Sequence, residues 1–203
     1  MEPKSGRGRL KPACSLRDAR LPSSAIQAFT PCRGELLHPS LLLLGIGVQN
    51  YTCDSMGNYS SIGAVATLFD VSCLYDTSIF DSLTLIADDM SSQTLLKTQA
   101  IQDYAIGHHF FVGANGTSTP HFVINKDGRG SSIKDWVNAK KLINIPSTDG
   151  SQNVDWLELN STSGELARTI YRLSTAGGQP PSTCTPGNAT AALPYAALYW
   201  FFE

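Results

Sequence analysis

The chain is short of charge, and most of the exclusions follow from that. Only 16% of its 203 residues are charged, with a formal net charge of −2. Neither number supports electrostatic binding of nucleic acid or of an anionic membrane. Long apolar runs are missing too. The longest, Leu41 to Val48, is eight residues counting its glycines, far below the ~20 a membrane-spanning helix needs. The five cysteines, Cys14, Cys32, Cys53, Cys73 and Cys184, form no Cys-X-X-Cys pair and no Cys/His set at zinc-ligand spacing, so no metal site is expected. No Gly-X-Ser-X-Gly elbow, phosphate loop or His-Glu-X-X-His occurs. The run Leu43-Leu-Gly45-Ile-Gly47-Val-Gln-Asn50 partly mimics a dinucleotide fingerprint. Asn50 stands where the third glycine belongs, and Tyr51 to Gly57 cannot open the helix that would hold a pyrophosphate. The glycines read instead as close-packing positions in a strand.

What is present points to an oxidising compartment. Ser and Thr supply 38 residues, and nine Asn in such a chain give about two sequons by chance. There are five, at Asn50, Asn58, Asn115, Asn160 and Asn188. Five widely spaced cysteines read as one or two disulfides plus a leftover thiol. Residues 1–24 are basic and lack an apolar segment, so they are not a signal peptide. Secretory ancestry is therefore expected, with an intracellular address left open.

Residues 1–40, rich in Pro, Arg and Ser, show no periodicity and read as an extended or disordered arm. Residues 41–203 read as a single domain of short strands: Leu41–Val48, Ile62–Tyr75, His108–Val112, His121–Ile124, Asp155–Leu159, Ala167–Thr175 and Leu193–Phe202. Asp88–Ile106 is the one helical stretch, Asn160–Gly164 reads as a hairpin turn, and Trp136 as the cap of a loop. The expected fold is all-β, an antiparallel sandwich or barrel with a little helix.

Adjacent His108 and His109 must point to opposite faces of a strand, so one faces the interior. A hydrogen-bonded core histidine is the ordinary reading and a general acid/base the sharper one. Alternation puts Arg168, Ile170 and Arg172 on one face and Thr169, Tyr171 and Leu173 on the other, while Trp156 and Glu158 share a face of the preceding strand. An aromatic interior with a few polar tips suits either a small-molecule pocket or a plain sandwich core.

Longer strings carry a resemblance. Gln49-Asn-Tyr-Thr-Cys53, Ile62–Asp70 with Ser72-Cys73, Gly107-His-His109, Pro120-His-Phe, Tyr171–Gly178, Pro180–Cys184 and Pro194–Phe201 occur in this order. From about residue 43 to 203 they resemble a fungal, mostly secreted family of unassigned function, commonly labelled "malate dehydrogenase". The same resemblance extends to hetero-Diels–Alderases of fungal tropolonic sesquiterpenoid pathways, which it places in that family. The resemblance implies a cofactor-free pericyclase joining a tropolone o-quinone methide to a humulene-type polyene, and no NAD binding. It implies small apolar substrates as partners, with a homodimer as the one assembly entertained. Under it, His109, Tyr51 and Arg168 are the candidate catalytic donors, and Trp156, Tyr171 and His121 the candidate substrate-binding residues. It also marks Cys14, Cys53, Cys73 and Cys184 as the disulfide candidates, with Cys32 the extra. Three pairings of those four stay open. The alternative of a different class is a secreted, non-catalytic β-sandwich that binds ligands or coats a surface.

Overall fold

A computed structural model describes residues 14–29, 38–89, 98–113, 118–125, 132–187 and 190–203. Eight antiparallel strands form a closed barrel, each pairing with its neighbour in sequence: β1 (Pro39–Cys53), β2 (Tyr59–Asp70), β3 (Ala105–Val112), β4 (Thr119–Val123), β5 (Trp136–Ile145), β6 (Trp156–Gly164), β7 (Thr169–Gly177) and β8 (Thr190–Phe202). β8 pairs along almost the whole of β1 and closes the barrel. The expected all-β fold is therefore narrowed to a barrel.

Two apolar clusters divide along the wall. Leu41, Leu43, Leu68, Phe122, Ile170, Tyr199 and Phe201 point inward and fill the lumen. Leu42, Leu44, Trp156, Tyr171, Leu198, Trp200 and Phe202 point outward and form a second cluster. Period-2 alternation sends successive residues to opposite faces, so β1 and β8, buried on both faces, read as continuous apolar runs.

The outer cluster is covered by the N-terminal segment and by the connection after β2. Residues 14–29 were expected to be extended or disordered. They pack instead on the barrel, with Leu16, Leu21, Ala25 and Phe29 buried and α1 formed by Ser23–Phe29. Each large apolar side chain covered this way contributes ~1.5–3 kcal/mol. A disulfide from Cys14 to Cys73 ties this segment to the short 3₁₀ turn Ser72–Leu74. Helix α2 (Leu83–Asp89) adds Leu83 and Ala87 to the same cluster. The longer helix expected over Asp88–Ile106 is limited, among the described residues, to the end of α2 and to α3 (Gln99–Gln102), and β3 already begins at Ala105.

Two further expectations are corrected. Trp136 does not cap a loop; it opens the ten-residue β5. Asn160–Gly164 is not a turn but the second half of β6, and the reversal falls on residues 165–168. The glycines of β1 do serve close packing. A Cβ on Gly47 would lie 1.9 Å from the Val65 carbonyl oxygen, and one on Gly45 would lie 2.6 Å from the Tyr199 ring.

Candidate functional site

One end of the barrel is filled and the other is open. A cavity of about 570 Å³ enters at the end where β1 finishes and β2 begins. The register explains part of the widening. Between Asn50↔Gly63 and Tyr51↔Ser61 one residue of β2, Ile62, is left without a partner, and β7 shifts register against β8 between Leu173 and Ala176. Such bulges bend a strand and re-aim its side chains. Gly63 sits at φ 127°, a conformation that favours glycine, and the Phe111 ring lies over it.

The walls are mixed: Phe111, Ala139, Val154, Leu157 and Leu159 give an apolar part, and polar and charged side chains line the rest. Three of the polar groups, Arg172, Gln49 and Tyr51, are held in place by hydrogen bonds. Arg172, on β7, is only 8% exposed. Its Nε and Nη2 donate to the Asp155 carbonyl at 3.0 and 2.8 Å, and Nη1 donates to Gln49 Oε1 at 3.5 Å. Gln49 is oriented in turn, because its Nε2 donates to Ser61 Oγ and to the Gly63 carbonyl, both at 2.8 Å. Tyr51 donates from its hydroxyl to the Gly178 carbonyl at 2.8 Å. Gln179 and Pro180 also line the opening, and the Cys53–Cys184 disulfide fastens their segment to the end of β1.

Below the cavity lies an aromatic layer. The Tyr195 and Tyr199 hydroxyls are 2.9 Å apart, and the His109 ring stacks on Phe122 with centroids 4.1 Å apart. Burial holds all these groups neutral at ordinary pH. It raises the Tyr51 phenol to about 12, against the opposing pull of Arg172, and raises Tyr195 and Tyr199 as well. It lowers His109 to about 4. Arg172 is then the formal charge at the base of the cavity.

The six residues singled out from sequence fall in different places. Tyr51 lines the cavity. His109 faces the lumen but lies beneath the cavity, 3% exposed. The other four are not at the cavity. Arg168 is exposed beyond the opposite end of β7, its backbone N–H donating to the Phe202 carbonyl at 2.7 Å. Trp156 and Tyr171 belong to the outer cluster, Tyr171 lying 5.3 Å from the ring of Phe29 in α1. His121 is on the outer face of β4, bonded through Nδ1 to Asn138 Oδ1 at 2.7 Å and flanked by Phe110 and Trp136. For Arg168 the cause is position, since it precedes β7 at the end away from the cavity; for the other three it is strand parity. Ile170 and Arg172 face the lumen, so Thr169, Tyr171 and Leu173 face away from it.

Sequence reasoning passed over Arg172 and Gln49. The signal was there for Arg172: it is the one charged residue of β7, set between Tyr171 and Leu173, and so a candidate buried charge. Among the described residues, no group of three or more His, Cys, Asp or Glu side chains is placed to hold a metal ion.

Residues 34–203, which include every strand and every residue of this cavity, match the family model described as "Protein of unknown function (DUF3455)". The chain belongs to this family. No curated protein and no solved structure matches it. For this DUF3455 member the cavity is thus the feature from which a function has to be argued. The cysteines that the resemblance marked as disulfide candidates pair as Cys14–Cys73 and Cys53–Cys184, while Cys32 lies outside the described residues. Two disulfides fit a protein matured in an oxidising compartment.

Proposed function

We propose that the protein is a cofactor-free pericyclase, a hetero-Diels–Alderase that joins a tropolone o-quinone methide to a humulene-type polyene inside the barrel mouth. One observation carries the reading: a cavity of about 570 Å³ that sets the apolar side chains of Phe111, Leu157 and Leu159 beside the oriented guanidinium of Arg172. Ligand pockets for small molecules typically span ~300–1,000 Å³ and are built this way. A cycloaddition asks for little more. No nucleophile is needed, and holding two apolar partners in a reactive geometry can contribute up to ~7–11 kcal/mol.

The roles follow from position. Leu157, Leu159 and Phe111 hold the hydrocarbon surfaces together and exclude water. Arg172 offers its guanidinium to the oxygens of the tropolone, where donors lower the barrier as electron density moves onto them. Tyr51, kept protonated, holds the Gly178 carbonyl and so the segment that roofs the opening. His109, held neutral, supports the floor as a positioning residue.

The disulfides and the sequon excess favour maturation in the secretory pathway. Asn58 is exposed and suits glycosylation, whereas Asn50 and Asn160 are half-buried in strands; Asn115 and Asn188 lie outside the described residues.

The second reading, a secreted binding protein without catalysis, uses the same cavity and differs only in outcome. The test is product formation from humulene and a tropolone quinone-methide precursor, followed by rate and enantiomeric excess. A single enantiomer formed faster than background is expected, and Leu159→Trp, which fills the cavity, should return the reaction to the background rate. A racemic product at the background rate with wild-type protein refutes the pericyclase reading and leaves the binding protein.

A further inference from the structure

Arg172 is buried, and every acceptor it meets is neutral. Two of its nitrogens converge on one backbone carbonyl and a third reaches an amide oxygen at the long limit of a hydrogen bond. The Tyr199 phenol also lies against it. Among the described residues no carboxylate is within ion-pairing distance, and the nearest acidic side chain on the cavity wall, Asp155, accepts a hydrogen bond from Asn144 Nδ2. A guanidinium has five N–H donors, so at least one remains for a ligand. An ion held without a counter-charge is costly to bury, and a bound anion would offset that cost.

The rest of the opening has the same sign. Lys140 and Lys141 line it, against the single carboxylate of Asp155. The phenols and the imidazole cannot supply a negative charge near neutral pH, since burial keeps Tyr51, Tyr195 and Tyr199 protonated and His109 in its neutral form. Beside the charge, Leu157, Leu159 and Phe111 provide surface for rings.

We propose that the barrel mouth is an anion site: it takes a planar apolar compound carrying one ionised acidic oxygen group, a carboxylate or an acidic enolate, with the oxygens on Arg172 and the rings against Leu157, Leu159 and Phe111. A planar oxygen pair matches the fork of a guanidinium. The proposal rests on the cavity being a ligand site, as in the function proposed above, and adds the charge of what enters it.

The test is calorimetric titration with 2-naphthoate and 2-naphthamide, which share their rings and differ in charge. At pH 7 and moderate salt, naphthoate should bind wild-type protein roughly tenfold or more tighter than the amide, as hydrogen bonds to charged groups allow. Arg172→Met should erase that preference while leaving the amide affinity within about twofold, and Arg172→Lys should keep a reduced preference. The NMR signal of Arg172 Nε–H in wild-type protein should shift with naphthoate and stay in place with the amide, which decides the matter even where Arg172→Met does not fold. Equal or tighter binding of the amide, binding of neither compound, or a preference that survives in Arg172→Met overturns the proposal. Its fate is separable from that of the pericyclase. Naphthoate selectivity with no cycloaddition sinks the enzyme and keeps the anion site, whereas enantiopure product without selectivity does the reverse.

Discussion

His109 gives the barrel a measurable dependence on acid. Its ring is stacked on Phe122, with planes 10° apart, and tilted against Phe111 and Tyr199. Its Nδ1 lies 2.9 Å from the His121 carbonyl, an acceptor only, so Nδ1 carries the proton of the neutral ring and donates it. Burial is the largest influence and opposes a second proton, which brings the pKa from 6.5 to about 4. In the unfolded chain the group titrates near its ordinary value. Between those two values the unfolded state binds a proton that the native state does not, so stability is complete above pH 6.5 and falls as the pH drops toward 4. At 1.36 kcal/mol per unit the loss approaches about 3 kcal/mol. The assay is denaturant unfolding of wild-type protein and His109→Gln, disulfides intact, at several pH values from 7.5 to 4. Gln retains an N–H to offer the His121 carbonyl but does not titrate, and the contributions of the other ionisable groups are common to both proteins. The stability difference between wild type and variant should therefore move by about 3 kcal/mol against the wild type across this range. Two curves that stay parallel within about 0.5 kcal/mol would refute the buried, neutral imidazole.

Two further perturbations test the frame around the cavity. Gly47→Ala places a methyl 1.9 Å from the backbone oxygen of Val65, which cannot rotate away, so a loss of about 3 kcal/mol or more is expected in chemical denaturation; a loss below 1 kcal/mol would mean β1 and β2 approach less closely than this. Replacing Cys53 and Cys184 together by Ser frees a loop with a sequence separation of 131, worth about 5 kcal/mol by chain entropy, and should also weaken naphthoate binding because Gln179 and Pro180 lose their anchor. Unchanged stability and affinity would show that the fastening does no such work.

The elements legible in the sequence were those whose pattern depends on a single feature. β1 and β8 are continuous apolar runs because both their faces are covered, and a continuous run is easily seen. The β3–β4 hairpin brackets Gly113-Ala-Asn-Gly-Thr, a strong turn signal. β5 was missed because Lys140, Lys141 and Leu142 are consecutive exposed residues around a register shift, which breaks the alternation that marks a strand. The N-terminal segment was missed for another reason. Leu16, Leu21, Ala25 and Phe29 each find their own contact on the outer cluster, and a tether at Cys14 replaces periodicity as the means of holding them there. That same cover misled the reading of the site. An aromatic such as Tyr171 or Trp156 is expected to face the core, but this wall has a core on each side, so aromatic character no longer tells which face is the lumen. Charge does. Arg172 must keep company with polar groups or solvent, and on this strand only the open end of the lumen supplies them.

The position of the cavity follows from where large and small side chains meet across the barrel. Gly45, Ala64, Ala66 and Ala197 are inward positions with little or no side chain. The space they leave is taken by Tyr199, which lies over Gly45, and by Phe122, which meets Tyr199 at 5.3 Å and Phe201 at 5.6 Å. His109 completes this layer against Phe122, so the lumen is full from here to the Leu41 end. Toward Tyr51 the balance changes. Phe111 folds down onto Gly63 and stays along the wall, and Ala139 projects too little to cross the lumen. Arg172 could cross it, but its guanidinium is drawn aside by the Asp155 carbonyl. Among the described residues, the side chains of this half leave the cavity open between them. A void bounded below by rigid rings and on one side by a fixed cation has a set depth and a set polar end, so a ligand entering it is oriented before any contact specific to its chemistry is made.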